Sequence, residues 1–404
     1  MLERKDYIDQ IVPYFDMPFV KILTGVRRCG KSTIMLMLMD ALKKRGIAEE
    51  HIVRFNFDTL EWQNASATQV FEIIKAKLAP GGRTYLFLDE IQEIENWEIL
   101  VNTFMEEPEY DVDIFVTGSN SKMMSSEIST YLTGRYVSFR IHPLSFSEYL
   151  AFKKAYGEVG DVNKEFLNYI EYGGFPAVHL KPLTLDEAYV IVKDIYNTTI
   201  LVDIVKRNQI RKVDQLERIV KFAFDNVGNV FSANSIRRFF ESQGRKIDVE
   251  TVYNYLSKLE NAYILNRCLR QDLQGRELLK TQEKFYLADI SLKHAVLGYR
   301  KDDISQILEN LVYLELRRRG YDVHVGKLDT QEIDFAAEKQ GKILYVQVAY
   351  LLADRKTQER EFGNLLKIQD NFPKFVVSMD EVDMSQKGIV HMNIRDFLLN
   401  DWKG

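Results

Sequence analysis

The sequence VKILTGVRRCGKSTIMLMLM, residues 20–39, constrains the fold of this chain more than any other stretch. An apolar run leads into the pattern Gly25-x-x-x-x-Gly30-Lys31-Ser32, and a Met-rich run of helix-forming residues follows. Glycines at these two positions let successive backbone N–H groups turn inward around a phosphate. A strand, a glycine loop and a helix in this order predict a P-loop and, with it, a site for a nucleoside triphosphate.

Every residue of this loop is a candidate for nucleotide binding. Lys31 can reach the β- and γ-phosphates, and the hydroxyl of Ser32 is placed to ligate Mg²⁺, so the predicted cofactors are ATP and Mg²⁺. The phosphate pattern does not require Arg27 and Arg28, and the sequence leaves open whether they face the triphosphate or another subunit. The predicted nucleotide-binding residues are Gly25, Val26, Arg27, Arg28, Cys29, Gly30, Lys31, Ser32 and Thr33.

Composition narrows the class of protein. A length of 404 residues is enough for two or three domains, and a hydrophobic fraction of 46% with only 8 prolines argues against long disordered tracts. The formal net charge of −5 argues against coating nucleic acid or anionic lipid by bulk charge. Two cysteines, Cys29 and Cys268, provide neither a disulfide framework nor a zinc site. With no signal peptide and no apolar run that could span a bilayer, a cytoplasmic protein without a membrane partner is expected.

A second functional strand is predicted further along the chain. Four apolar residues, 85–88, precede the carboxylates Asp89 and Glu90. A buried parallel strand should be a continuous apolar run, and ligand groups should lie just beyond its carboxyl end. Asp89 is therefore predicted to hold Mg²⁺ together with Ser32, and Glu90 to polarise the attacking water. An Asp-Glu pair by itself is typical of a solvated turn, and its place after this strand favours the catalytic interpretation.

Two more positions have alternative interpretations. The apolar strand 113–118 leads into Ser119 and Asn120. Asn120 can contact the γ-phosphate, or cap the next helix, and the two roles are compatible. Arg135 follows Gly134 at a predicted helix end. Its guanidinium suits the γ-phosphate of a neighbouring subunit, and it equally suits neutralising a helix C-terminus.

The segments GVRRCGKST, LFLDEIQ, VTGSNSKMM, YLTGRYVSF and PLSFSEYL, in this order and spacing, resemble a bacterial and archaeal family of AAA+-type ATPases that carry a C-terminal domain of unknown function. The resemblance covers essentially the whole chain and is strongest over residues 1–155. It implies an α/β fold with a five-stranded parallel core, in which a sensor strand lies between the P-loop strand and the strand of Asp89. It also implies that Asn120 is the first sensor and Arg135 an arginine finger, in a homo-oligomeric ring for which a hexamer is one candidate.

The chain is predicted to divide into an ATPase core, 1–155, a helical lid or linker, 156–212, a winged-helix domain, 213–290, and a nuclease-like α/β domain, 291–404. Three predicted helices and a hairpin give the third segment the order of a winged helix. Its predicted DNA-facing residues are Thr251, Asn254, Tyr255, Lys258, Arg267, Arg270, Arg276 and Lys280. Residues 245–284 contain eight Lys or Arg and six Asp or Glu, a net charge of only +2, so contact with a protein partner is the alternative.

The last segment resembles the PD-(D/E)xK nuclease core: a helix with Glu309, three strands with Asp334 in the second, a helix and a strand. In such nucleases Asp334 and the acid of a following (D/E)xK would bind Mg²⁺, and the lysine would help to activate water. Here the third strand carries Gln347, which coordinates only weakly through its carbonyl oxygen, and Ala349, which has no amine. A degenerate domain that binds nucleic acid or packs against the ATPase is predicted in preference to an active nuclease.

These patterns together predict a Mg²⁺-dependent ATPase that acts on DNA as a homo-oligomer. The alternative is a regulatory or signalling switch, in which the ATP state controls a protein partner. The two predictions differ in whether DNA changes the rate of ATP hydrolysis.

Overall fold

The computed structural model describes residues 2–119, 132, 134–275 and 277–402, with the backbone alone at 280–282. The chain divides into two units. The first consists of Met1–Pro143 and Asn261–Tyr263, and the second of Leu144–Glu260 and Ile264–Gly404. Each unit has its own β-sheet.

The first unit is built on five parallel strands that pair in the order β2-β3-β4-β1-β5. The strands are β1 Val20–Thr24, β2 Ile52–Asn56, β3 Thr84–Asp89, β4 Val112–Gly118 and β5 Tyr136–Arg140. The helices are α1 Lys5–Ile11, α2 Lys31–Lys44, α3 Ala67–Lys75 and α4 Trp97–Glu106, with short 3₁₀ turns at Val12–Tyr14, Glu49–His51, Leu60–Trp62 and Ile91–Glu93. The predicted five-stranded parallel α/β core is confirmed, with β4 between the P-loop strand and the strand of Asp89.

Burial explains why these segments are strands. All residues of β1 and of β3 are buried, as expected where helices cover both faces of a parallel sheet. The register aligns Asn56 with Asp89 and Thr24 with Gly118. The carboxyl ends of β1, β2, β3 and β4 therefore meet at one edge of the sheet.

A buried ion pair joins β1 to β4 within this sheet. Lys21 is fully buried, and its ammonium contacts the carboxylate of Asp113 and donates to the carbonyl oxygen of Met17 at 2.9 Å. The other carboxylate oxygen of Asp113 accepts from the backbone N–H of Asp16 at 2.9 Å. Burial lowers the pKa of Lys21 and raises that of Asp113, in each case against the attraction of the partner. The charge of Lys21 therefore stabilises the charged form of Asp113, and the reverse also holds.

Replacing Lys21 by methionine is expected to lower the free energy of unfolding by about 3–5 kcal/mol, because it leaves Asp113 charged or protonated without its partner. The double variant Lys21→Met/Asp113→Leu should recover most of the loss, since apolar groups of similar volume often replace a buried pair at little cost. Urea unfolding followed by circular dichroism measures both. A loss below about 1 kcal/mol in the single variant would mean that the pair behaves like a surface ion pair.

The second unit combines helices with a mixed sheet of seven strands, in the order β12-β11-β10-β9-β8-β6-β7. Its helices are α5 Phe146–Tyr156, α6 Val162–Tyr172, α7 Leu185–Thr198, α8 Val213–Asp225, α9 Ala233–Ser242, α10 Val249–Asn261, α11 Ser291–Leu297, α12 Ile304–Arg318, α13 Arg355–Leu366 and α14 Ile394–Leu399. Its strands are β6 Leu265–Asp272, β7 Leu278–Leu287, β8 Asp322–Leu328, β9 Gln331–Lys339, β10 Lys342–Val348, β11 Lys374–Ser378 and β12 Val390–Asn393. A π-helix, Thr199–Lys206, extends α7, and 3₁₀ turns lie at Pro176–His179 and Lys301–Asp303.

The predicted hairpin of the winged helix is present, and it has an additional partner. Strands β6 and β7 pair antiparallel, and β6 also pairs parallel with β8 over residues 270–272 and 325–327. One continuous sheet therefore includes the hairpin and the strands β8–β12 of the segment that was predicted to be nuclease-like. The predicted boundary at residue 290 does not separate two sheets, because β6 supplies the hydrogen bonds that β8 would otherwise lack at an edge.

The segment predicted to be a helical lid or linker is helical in α6, α7 and the π-helix. This segment turns at Gly173, which follows α6 and has φ +73°. Within the described ranges, none of the helices is both long enough and apolar enough to cross a membrane.

Candidate active site

The loop between β1 and α2 turns at two glycines. Gly25 has φ +148°, and a Cβ atom there would lie 2.2 Å from the carbonyl oxygen of Ile141. Gly30, at the start of α2, has φ +104°. Neither position tolerates a side chain without a shift of the backbone. The loop therefore has the glycine-dependent shape that presents backbone N–H groups to a phosphate at a helix N-terminus.

Arg4 fixes the base of this loop. Its buried guanidinium donates to the carbonyl oxygens of Cys29 at 3.0 Å and His142 at 2.9 Å. Burial raises the pKa of the Cys29 thiol, which favours its protonated form. Of the two additional cations, Arg27 is half-buried and Arg28 is exposed with φ +63°.

The side chain of Lys31 lies over the loop. Its ammonium donates to the carbonyl oxygens of Gly25 at 3.1 Å and Val26 at 3.3 Å, and it lies 3.9 Å from a carboxylate oxygen of Glu90. The residue is only 4% exposed. A buried ammonium at this position is available to a phosphate held by the loop, as the sequence predicts.

Asp89 accepts hydrogen bonds from side chains on three other elements. The hydroxyl of Ser32 donates to Oδ1 at 3.0 Å, the hydroxyl of Thr117 donates to the same oxygen at 2.6 Å, and Arg54 donates to Oδ2 at 2.6 Å. Ser32 and Asp89, the predicted metal ligands, are therefore together at the carboxyl edge of the sheet.

These two oxygen donors fit Mg²⁺. Among the described residues no group of three or more His, Cys, Asp or Glu side chains could enclose a metal ion. Mg²⁺ is commonly held by one or two protein oxygens together with water and substrate phosphates, so the pair formed by Ser32 and Asp89 is sufficient.

The backbone of Glu90 is in the left-handed region, with φ +53° and ψ 45°. Its N–H donates to the hydroxyl of Thr117 at 2.9 Å, and its carboxylate accepts from the amide of Gln92 at 2.5 Å. A conformation that costs a non-glycine residue about 1–3 kcal/mol persists where the surroundings hold it, often at functional sites. Thr117 and Gln92 are the contacts that hold the backbone and the side chain here.

The sequence did not indicate the roles of Arg54, Thr117 and Gln92. Thr117 contacts both Asp89 and the backbone of Glu90, and it is fully buried. The available signal for Arg54 was a cation inside the mainly apolar stretch Ile52–Phe57. The available signal for Thr117 was its place near the end of the strand that precedes Asn120.

Replacing Arg54 by alanine is expected to lower the Mg²⁺ concentration for half-maximal ATP hydrolysis by about three- to tenfold, the equivalent of roughly 0.7–1.4 kcal/mol. The guanidinium pairs with Asp89, so it would compete with Mg²⁺ for this carboxylate if Asp89 holds the metal. Rates measured against Mg²⁺ at saturating ATP test this, with Arg54→Lys as the control that keeps the charge. An unchanged Mg²⁺ requirement would exclude the competition.

Arg135 lies at the opposite edge of the sheet from the loop. It immediately precedes β5, and its carbonyl oxygen accepts from the N–H of Val20, the first residue of β1. A strand of five residues separates it from Gly25, about 16 Å at the usual rise. Its half-exposed guanidinium pairs with Glu106. Arg135 is therefore not part of the site in its own chain, and Asn120 lies outside the described residues.

The predicted DNA-facing residues divide into two groups. On α10, Asn254 is exposed, and Thr251 and Lys258 are half-buried. Lys258 donates to the side chain of Asn254 at 2.7 Å. Tyr255 is 7% exposed, so its predicted outward position is wrong, because the side chain belongs to the apolar face of the helix.

The arginines of the hairpin make ion pairs within the second unit. Arg267 contacts Glu260 at 2.7 Å and Glu283 at 3.5 Å, and Arg270 lies 3.9 Å from Glu332. Arg276 lies outside the described residues, as does the side chain of Lys280.

The residues predicted to form a degenerate nuclease-like site do lie together. The backbone N–H of Asp334 donates to Oε1 of Gln347 at 2.7 Å, and Nε2 of Gln347 donates to Glu361 at 2.7 Å. Oδ2 of Asp334 accepts from the N–H of Val348 at 2.8 Å. Gln347 thus joins Asp334 to Glu361. Glu309, on α12, contacts the same cluster through Lys284.

Comparisons with known proteins agree with this geometry. An AAA domain family matches residues 18–150, and a domain of unknown function matches residues 163–303. An uncharacterized protein of Haemophilus influenzae is 35% identical over 402 residues, which cover 99% of each chain. An uncharacterized protein of Methanocaldococcus jannaschii is 28% identical, covering 93% of this chain and 85% of that one. A Walker-type ATPase of Pyrococcus abyssi is similar in fold, with a TM-score of 0.52 and 13% identity, over 73% of this chain and 96% of that chain.

Proposed function

Because this chain belongs to one family with the Haemophilus influenzae protein and carries an AAA domain, we propose that it is a Mg²⁺-dependent ATPase that converts ATP and water to ADP and phosphate. The observation that carries the proposal is the convergence on Asp89. Ser32 and Thr117 both donate to its carboxylate, and Glu90 follows it beside Lys31. The groups proposed to bind phosphate, metal and water therefore lie at one edge of one sheet.

Each group has a distinct role in the proposal. Backbone N–H groups of Gly25–Thr33 bind the phosphates, and Lys31 neutralises their charge. Ser32 and Asp89 hold Mg²⁺, which when bound neutralises charge on the β- and γ-phosphates. Glu90 accepts a hydrogen bond from the attacking water and orients it. Asn120 is assigned to the sensor role by the resemblance alone.

The proposed active form is a homo-oligomer. Arg135 lies at the amino edge of the sheet, whereas the loop lies at the carboxyl edge. An arginine in this place reaches a γ-phosphate only when a second copy supplies it. The pair with Glu106 is half-exposed, and such pairs cost about 1 kcal/mol or less to break. A ring in which each subunit completes its neighbour's site satisfies this requirement, with a hexamer as one candidate.

DNA is the proposed macromolecular partner. The support is the order of three helices and a hairpin over α8–β7, together with the polar face of α10 that carries Thr251, Asn254 and Lys258. Lys258 can contact a phosphate, which positions DNA without reading its sequence.

The test measures ATP hydrolysis and oligomer mass by light scattering, with and without single-stranded, duplex and branched DNA. We expect DNA to bind and to raise the rate, and Lys258→Ala to weaken that binding more than Lys221→Ala, an exposed lysine on the neighbouring α8. Protein that hydrolyses ATP but neither binds DNA nor responds to it would exclude the DNA role and leave the ATPase proposal intact.

One observation favours a second candidate, a switch that acts on a protein partner. Arg267 and Arg270, which a DNA-binding wing would present to phosphates, face Glu260, Glu283 and Glu332 instead. This candidate predicts slow turnover that is indifferent to DNA, and a protein partner bound in an ATP-dependent way. The same rate measurements separate the two candidates.

A further inference from the structure

A lysine ammonium lies at the centre of the acidic cluster in the second unit. Lys284, on β7, is 2.8 Å from Oε1 of Glu309, 2.7 Å from Oε1 of Glu332 and 3.8 Å from Oδ1 of Asp334. Glu309 belongs to α12, and the other two carboxylates belong to β9. The cation therefore joins three separate elements of the unit.

The surroundings of this ammonium are closed. Lys284 is 3% exposed, and Tyr286, which is fully buried, donates to the same Glu309 oxygen at 2.6 Å. Burial acts to lower the pKa of Lys284, but the charges of Glu309, Asp334 and Glu332 outweigh it, and the pKa lies well above its ordinary value. Three carboxylates this close to the nitrogen favour the charged form of the amine.

The nuclease-like resemblance implies a divalent cation among these groups, and the residues do not fit one. Gln347 replaces the second acid of the motif, and its amide is engaged with Asp334 and Glu361. Ala349 provides no amine. A divalent cation could bind among these carboxylates only if the Lys284 ammonium moved away, because the two positive charges repel each other at contact distance.

Two of the three distances around Lys284 are close to those of a metal site. Its two short contacts, 2.7 Å and 2.8 Å, exceed the usual Ca²⁺–oxygen distance of about 2.3–2.6 Å by only a few tenths of an ångström. Mg²⁺ requires about 2.0–2.1 Å and a stricter geometry. Oxygens of Glu309 and Glu332 thus lie at nearly the separation that a calcium ion needs, and Oδ1 of Asp334, at 3.8 Å, would have to move closer to complete a metal site.

We propose that the ammonium of Lys284 is the permanent cation of this site and takes the place of a divalent metal, so that the nuclease-like domain is stable without metal and cannot cleave nucleic acid. The domain keeps the carboxylates of a metal centre and offsets part of their charge with its own side chain. This inference is independent of the proposed ATPase activity, since it concerns residues of the second unit alone.

Removing the ammonium should turn the cluster into a metal site. Lys284→Ala leaves Glu309, Glu332 and Asp334 facing one another, and Ca²⁺ should then bind with a dissociation constant of about 0.1–1 mM. In nucleotide-free full-length protein, we expect the variant to melt below the wild type without metal. With 10 mM CaCl₂ its melting temperature should rise by about 3–10 °C more than that of the wild type.

Two control variants sharpen the comparison. Lys284→Arg keeps the cation, so its melting temperature should respond to Ca²⁺ no more than that of the wild type. Lys293→Ala removes another fully buried lysine, which has one carboxylate partner, Asp303 at 3.0 Å, and the side chain of Gln306 at 2.6 Å. It should lose stability without gaining any response to Ca²⁺. If only Lys284→Ala shows the larger rise in melting temperature with Ca²⁺, the result supports the proposal.

Three results would overturn it. The first is a Ca²⁺ response in wild-type protein that Glu309→Gln abolishes, because the carboxylates would then already hold a metal. The second is a folded Lys284→Ala variant that melts identically with and without Ca²⁺. If Lys284→Ala does not fold in either buffer, Lys284→Ala/Glu332→Gln removes the cation together with the most exposed of the three acids. The third contrary result is a double variant whose melting temperature responds to Ca²⁺ no more than that of Glu332→Gln alone.

Discussion

Replacing Glu90 by glutamine is expected to lower the turnover of ATP by about 10²–10⁴-fold, while the affinity for ATP changes by less than about threefold. Glutamine keeps the size of the side chain and removes the charge that attracts the proton of the attacking water. The proposed contacts to phosphate come from the loop and from Lys31, which donates to the carbonyl oxygens of that loop, and the substitution leaves both in place. Phosphate release measures turnover, and titration with a fluorescent ATP analogue measures affinity.

The matched control for this variant is Glu93→Gln. Glu93 is an exposed carboxylate three residues away in the 3₁₀ turn that follows Glu90, and its loss changes the net charge by the same amount. It should keep turnover within about twofold of the wild type, as for a surface substitution outside the site. If Glu90→Gln retained more than a tenth of the wild-type rate, Glu90 would not be the residue that orients the water.

Replacing Arg135 by alanine is expected to lower turnover by about 10³-fold or more, as for other arginines that complete a γ-phosphate site from a neighbouring subunit. The variant should still bind ATP, because its own loop and Asp89 are unchanged. Mixing Arg135→Ala protein with Glu90→Gln protein should restore activity. An interface is complete when the Arg135→Ala subunit supplies Glu90 and the Glu90→Gln subunit supplies Arg135. Random mixing at equal amounts makes about a quarter of the interfaces complete.

Arg83→Ala is the control for Arg135→Ala. Arg83 also precedes a strand at the amino edge of the sheet, and it pairs with Asp111 at 2.7 Å. Its loss removes a comparable surface ion pair and should leave turnover nearly unchanged. A mixture no more active than the average of the two separate variants would contradict a shared site, and so would an Arg135→Ala variant with normal turnover.

Where a predicted site depends on consecutive residues, the sequence was sufficient to predict its structural elements. The loop from Gly25 to Ser32 and the strand that ends at Asp89 each combine a spaced motif with an apolar run, so both the elements and their roles could be predicted. The five-stranded parallel sheet was implied by the family resemblance. The predicted metal ligands Ser32 and Asp89 meet because Asp89 ends one parallel strand and Ser32 follows the loop at the carboxyl end of another.

The contacts that the sequence did not predict depend on pairings between distant segments of the chain. Arg54 reaches Asp89 only through the register of β2 against β3, and Thr117 reaches it only because β4 lies next to β3. The contact of Lys284 with Glu309 needs an antiparallel hairpin and a helix brought together over 25 residues. The local pattern of apolar and polar residues does not show which distant segments come into contact. It therefore predicted the missing acid at Gln347 but not the cation that compensates for it.

The separation of Arg135 from the loop has a consequence for symmetry. A subunit that offers its arginine at one edge and its nucleotide at the other makes a contact between two unlike surfaces, which is a heterologous interface. A pair of subunits joined in this way completes one site and leaves the other open, whereas a closed ring completes every site. If Arg135 acts between subunits, the rate per subunit should therefore increase with assembly and reach its limit only when the ring closes.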